Sequence, residues 1–168
     1  MHERLKIATE RASEALLRRG WKIATAESCT GGMLAMQLTE ISGSSVWFER
    51  GFVTYSNEAK NELLGVPLAT IEEHGAVSQA AALAMANGAL ERSRADVTVA
   101  ITGIAGPTGA VPNKPVGTVW FATAMRGEAA RAVLRQFNGD RAEIRAQATV
   151  FALDEIARLA NEPSANLA

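Results

Sequence analysis

Two adjacent side chains that can act as nucleophiles, Ser28 and Cys29, stand in the stretch Thr25-Ala-Glu-Ser-Cys-Thr-Gly-Gly32. A second stretch, Thr54-Tyr-Ser-Asn-Glu-Ala-Lys60, supplies a tyrosine and a lysine. A serine hydroxyl is a weak nucleophile until a base takes its proton, and a lysine amine is such a base once it has lost its charge. Free lysine titrates near ~10.4, so burial has to lower that value by several units. Three readings of the first stretch are open. Ser28 or Thr30 caps a helix. Alternatively, the amides of Thr30, Gly31 and Gly32, unpaired at the positive end of a helix, cradle a phosphate or an oxyanion. In the third reading a side chain of the stretch is a nucleophile. A phosphate loop would end in Lys-Ser/Thr, which is absent here, and Ala26 and Thr30 occupy the glycine positions of a Gly-x-Ser-x-Gly elbow.

A third stretch, Thr102 to Thr118, is a long glycine- and proline-rich loop, and loops of that length are more often functional than connecting. Cys29, Glu27 and Lys60 together supply the residue types of a cysteine amidase. Neighbours in a turn point in different directions, so only one of Ser28 and Cys29 faces a substrate. His2 and His74 have no partner at ligand spacing, and there is one cysteine, so neither a metal nor another cofactor is expected.

The elements that must position these groups follow from periodicity. Leu5, Ala8, Ala12, Ala15 and Leu16 recur at helical spacing, and Gly20 marks the stop. Trp21 to Ala26 reads as a short strand and Met33 to Ile41 as a helix. Val46 to Tyr55 suits a strand, and Ser56 caps a helix from Asn57 to Leu64. Thr70-Ile-Glu-Glu73 has capping-box spacing, and Ser78 caps an alanine-rich helix from Gln79 to Arg94. Val97 to Thr102 is nearly all apolar, as in a strand buried on both faces. Val116 to Met125 and Ala130 to Phe137 flank Arg126-Gly-Glu-Ala129 as an antiparallel hairpin. Asp140-Arg-Ala-Glu143 opens a last helix with Ile144, Ala148, Phe151, Ile156 and Leu159 on one face, and the tail from Asn161 is expected to fray.

Strands alternating with helices imply an α/β fold, a three-layer helix–sheet–helix sandwich with a mixed, mostly parallel sheet. The length of 168 residues fits a single domain over 1–168. A net charge of −1 gives no basic excess for nucleic acid or an anionic membrane, and no apolar run reaches membrane-spanning length. The single cysteine and the charged, periodic N-terminus point to the cytoplasm. In such a fold the loops after the strands form the ligand edge, which brings the first two stretches together.

These stretches, with His74-Gly-Ala-Val-Ser-Gln79, Lys114-Pro-Val-Gly-Thr-Val-Trp-Phe-Ala122 and Phe137-Asn-Gly-Asp-Arg141, resemble the CinA C-terminal domain family. Its characterised members are nicotinamide mononucleotide amidohydrolases. In many of them the central loop reads closer to Gly-Pro-Gly-Gly, where this chain has Thr108 and Ala110. The resemblance implies that Ser28 is the nucleophile, rather than Cys29, and Lys60 its base, with Tyr55 and Thr102 lining the site and Tyr55 counted with the catalytic residues. It implies hydrolysis of the nicotinamide carboxamide to ammonia and nicotinic acid mononucleotide, without a metal, in NAD salvage. The expected substrate-binding positions are Glu27, Thr30, Gly31, Gly32, Thr102, Gly103, Gly106 and Arg141. Arg141 is the expected phosphate ligand, since Asp140 opposes an anion at that helix start, and Arg145 lies one turn further along the same face. The expected partners are a small-molecule nucleotide and further copies of the chain in a homo-oligomer. A nucleotide-binding or competence- and damage-associated partner module without catalysis is the rival reading.

Overall fold

The computed structural model describes residues 1–163, so the end of the tail, 164–168, lies outside the described residues. The chain runs through α1 (His2–Arg19), β1 (Ile23–Glu27), α2 (Met33–Leu38), β2 (Phe48–Val53), α3 (Asn57–Leu64) and α4 (Leu68–His74). It continues through α5 (Gln79–Glu91), β3 (Val97–Gly103), β4 (Thr118–Met125), β5 (Arg131–Gln136) and α6 (Arg141–Asn161). The strands form one sheet in the order β2-β1-β3-β4-β5. β1 is parallel to β2 and β3, while β4 is antiparallel to both of its neighbours. Four of the five strands therefore point the same way and β4 alone is reversed, which is the mixed, mostly parallel sheet expected.

Alternation along β3 explains the layers. Val97, Val99 and Ile101 face a core built with Ala8, Ala12 and Leu16 of α1 and Leu153 and Ile156 of α6. On the other face the small Ala100 meets Ala82, Met85, Ala86 and Ala89 of α5. Small side chains on both partners let α5 lie close to the sheet. α3 lies against α5 with nothing between them at one point: a Cβ on Gly88 would sit 1.9 Å from the Leu64 carbonyl oxygen.

Several boundaries differ from expectation for local reasons. α2 ends at Leu38, where the Thr39 hydroxyl bonds back to the carbonyls of Ala35 and Met36. β2 starts only at Phe48, because Ser44–Val46 form a short 3-10 turn whose neighbour Trp47 is buried, donating its indole N–H to the Leu38 carbonyl. α4 opens behind Pro67, so Thr70 lies within the helix instead of capping it. α5 closes at Glu91, before Arg94. No helix among the described residues is long and apolar enough to cross a membrane.

The register of the parallel strands is what makes a site. Glu27 pairs with Val53 on one side and with Ile101 on the other. The next residues along each strand, Ser28, Thr54 and Thr102, therefore reach the same edge of the sheet.

Candidate active site

Ser28 is the first residue past β1, and its amide continues the ladder by donating to the Ile101 carbonyl at 2.9 Å. The chain then turns at once: the Gly31 amide donates to the Ser28 carbonyl at 3.0 Å, and that of Met33 to Thr30 at 3.0 Å. Gly31 (φ 58°) and Gly32 (φ 101°) hold left-handed backbone, which explains two glycines in succession. Glu27 was expected to bind substrate; instead it is fully buried behind this turn. Its carboxylate accepts from the Thr30 hydroxyl at 2.7 Å and from the amides of Leu34 and Ala35 at 2.9 and 3.1 Å. A carboxylate at the start of α2 satisfies orphan amides and complements the helix dipole. Of the amides that sequence reasoning assigned to a ligand, those of Thr30, Gly31 and Gly32, the Gly31 amide is taken by the Ser28 carbonyl, while Glu27 takes the next two along the helix, Leu34 and Ala35.

Lys60 lies one turn into α3, whose start is fixed by the Ser56 hydroxyl accepting from the Ala59 amide at 3.0 Å. Its side chain is 1% exposed, and Nζ lies 3.1 Å from Ser28 Oγ. The other partners of Nζ are the carbonyls of Thr54 at 3.0 Å and Tyr55 at 3.4 Å. The ion pairs among the described residues do not include Lys60. Burial pushes the amine below the usual lysine range, outweighing an opposing interaction with Cys29. In the structure Nζ donates to Ser28 Oγ; in the neutral form the two N–H groups suffice for the two carbonyls, which leaves the lone pair for the Ser28 hydroxyl proton. That is the geometry of a general base beside its nucleophile. Cys29 is the opposite case. Burial pushes its thiol up to about 11, although its own amide and the Arg145 guanidinium oppose the rise, so at neutral pH it carries a proton.

Ser28 and Lys60 open into a cavity of about 300 Å³, and Cys29 also borders it, so the chain does not turn one of the two adjacent residues wholly away as expected. Tyr55, Thr102, Gly103, Gly106 and Arg141 line the cavity, and Asn57, Ala76, Val77 and Thr108 join them. The Thr102 hydroxyl donates to the Ala76 carbonyl at 2.7 Å, tying β3 to the connection before α5. The Asp140–Glu143 capping box forms and sets Arg141 in the first turn of α6. The Arg141 guanidinium donates to the Gly106 carbonyl and to the Tyr55 hydroxyl oxygen, each at 2.9 Å. Thr30, Gly31 and Gly32, like Glu27, are not part of the cavity wall. Their amides and side chains shape the turn from behind. A larger cavity, about 510 Å³ between α1 and α2, shares no residue with this one.

The residue that sequence reasoning left without a role is Arg145. From α6 it donates Nε to the Cys29 carbonyl at 3.0 Å and Nη2 to the Thr30 carbonyl at 3.2 Å. Its spacing from Arg141 was legible, but its targets are backbone atoms more than 110 residues away, which no side-chain pattern reveals.

Comparison with known proteins places this geometry in context. Residues 5–160 match the family model described as the CinA C-terminal domain. The chain is 54% identical over 151 residues to the nicotinamide-nucleotide amidohydrolase PncC of Escherichia coli strain K12, covering 88% of this chain and 90% of that protein. It is 52% identical over 144 residues to the protein of the same name from Enterobacter agglomerans, covering 86% and 88%. Among solved structures, the competence/damage inducible protein CihA from Agrobacterium tumefaciens superposes with a TM-score of 0.89 at 44% identity, covering 95% of this chain and 96% of that one.

Proposed function

Because this chain belongs to the CinA C-terminal domain family, we propose that it is a nicotinamide-nucleotide amidohydrolase that converts nicotinamide mononucleotide and water to nicotinic acid mononucleotide and ammonia through a Ser28–Lys60 pair. The observation that carries the mechanism is the buried Lys60 Nζ, 3.1 Å from Ser28 Oγ and free of any carboxylate among the described residues. Ser28 Oγ attacks the carboxamide carbon as its proton passes to Lys60. The tetrahedral species then collapses, the C–N bond breaks, and Lys60 returns the proton to the departing nitrogen, which leaves as ammonia. Water next attacks the Ser28 ester with Lys60 again as base, releasing the carboxylate and restoring the hydroxyl. Both attacks, by Ser28 and then by water, need the amine neutral at their start, which is what burial favours, while the collapse between them uses the proton gained in the first.

The decisive experiment is to incubate the purified protein with the mononucleotide and to measure ammonia together with nicotinic acid mononucleotide. Equal amounts of both products are expected; binding without turnover would leave the partner-module reading in its place. The proposal includes a cytoplasmic role in returning the mononucleotide to NAD synthesis. Exposed Tyr55 and Val53, near the cavity, suit the homo-oligomer expected.

Arg141 is assigned to the substrate phosphate, since its guanidinium sits at the cavity wall with only neutral oxygens as partners among the described residues. Charge-assisted hydrogen bonds contribute about 1.5–3 kcal/mol. Arg141→Ala is therefore expected to raise KM for the mononucleotide roughly 10- to 100-fold while leaving any slow hydrolysis of free nicotinamide unchanged. Steady-state kinetics on both substrates checks this; equal losses on both would make Arg141 a support for Tyr55 and Gly106 instead.

A further inference from the structure

We infer that Arg145 is a positioning residue for the nucleophile, setting the peptide planes that follow Ser28 without touching the substrate. The inference rests on the assignment of Ser28 above. Arg145 is half-buried, outside the cavity wall, and absent from the ion pairs among the described residues. An arginine in such a place ordinarily meets a carboxylate. This one instead bonds the carbonyls of two successive residues, Cys29 and Thr30, directly after the attacking serine.

A trans peptide is planar, so fixing a carbonyl fixes the amide on its opposite side. Two carbonyls drawn toward α6 therefore set the orientation of the Thr30 and Gly31 amides, and the Gly31 amide in turn holds the Ser28 carbonyl. Glu27 grips the same turn from within through the Thr30 hydroxyl. The turn is thus held between an anion on its inner side and a cation on its outer side, and the anion and cation do not pair with each other. Both carbonyls belong to buried residues, so removal of the guanidinium leaves them without that donor and frees the turn to rotate. Arg145 also stands one turn past Arg141 on the same helix, so α6 carries one arginine to the cavity wall and another to the nucleophile's turn.

The test compares Arg145→Met with the parent protein, reading kcat, KM, the pH–rate midpoint and the labelling rate of Ser28 by an aryl phosphonofluoridate. That probe forms an Oγ–P bond with loss of fluoride and needs no part of the nucleotide site. The kcat is expected to fall about 10- to 100-fold, the size of effect that a reacting atom misplaced by about 1 Å produces. KM should move by less than about threefold, and labelling of Ser28 should slow by the same factor as kcat. The pH midpoint should stay, because the Thr54 and Tyr55 carbonyls around Lys60 are untouched. Counting labelled sites at completion corrects for any unfolded fraction, so a purely structural role would leave the rate per labelled site unchanged and overturn the inference. A change in KM alone would also overturn it, by placing Arg145 on the substrate. If the methionine variant does not fold, Arg145→Lys serves: its one nitrogen replaces the two that bond separate carbonyls and reaches one of them, and an intermediate loss of kcat and labelling rate is expected, parental values of both overturning the inference. A parent protein labelled at a residue other than Ser28 would overturn the mechanism itself; label on Ser28 at an unchanged rate in the variants would overturn only the role of Arg145.

Discussion

Ser28→Ala is expected to abolish ammonia release, by on the order of 10⁴-fold or more, in a protein that melts close to the parent. The fold loses little because the backbone of Ser28 carries the structural contact, its amide on the Ile101 carbonyl. Among the described residues the hydroxyl has one partner, Lys60 Nζ, which keeps the Thr54 and Tyr55 carbonyls after the substitution. Cys29→Ala supplies the contrast. A thiol pushed up to about 11 has almost no thiolate at neutral pH, so that variant should retain activity within a few-fold. Ammonia release measured across the pair decides between the nucleophiles, and an inactive Cys29→Ala beside an active Ser28→Ala would transfer the mechanism to sulfur.

The second large effect is expected at Lys60. Lys60→Ala should be nearly as damaging as Ser28→Ala, and the double variant little worse than either, because parts of one catalytic unit do not contribute additively. Lys60→Arg should not restore activity, since a guanidinium keeps its proton. Burial lowers the amine's pKa in the folded protein, and only the neutral amine accepts the serine proton. Activity should therefore rise with pH through that lowered value and be lost below it. Stability follows the same shift. Between the folded value and the unfolded value near ~10.4 the unfolded chain binds the extra proton, so stability rises with pH across that window. Below the folded value both states are charged, and the cost of burying the ammonium is fully present. Lys60→Met should accordingly raise Tm at neutral pH while removing activity, although the Thr54 and Tyr55 carbonyls lose a donor. Thermal melts and pH–rate profiles of the two proteins check both halves; an active arginine variant would end the assignment of Lys60 as base.

How far this site was legible depended on whether a residue acts through its own position in an element or through a distant backbone. The strand–turn–helix units around Ser28 and Lys60 were readable because apolar runs, a capping serine and paired glycines fix each one locally. Their meeting at one sheet edge followed from parallel order, realised as Glu27 aligned with both Val53 and Ile101. Glu27 and Arg145 were not readable in the same way. A carboxylate beside a serine looks the same in one dimension whether it faces a ligand or caps a helix, and only tertiary packing buries it. Thr70 misled for a related reason, since capping-box spacing was present but Pro67, with its fixed φ, had already started the helix.

The contact between α3 and α5 reaches beyond packing. A methyl at position 88 would have to retreat from 1.9 Å to beyond the 3.0 Å that real Cβ contacts keep, so α3 would shift by about 1 Å. Leu64 ends the helix whose preceding turn holds Lys60. The heritable record of this reaction therefore includes a position with no reagent, on the helix that backs α3. A lineage that kept Ser28 and Lys60 but drifted away from glycine at 88 would inherit both reagents and lose the spacing between them.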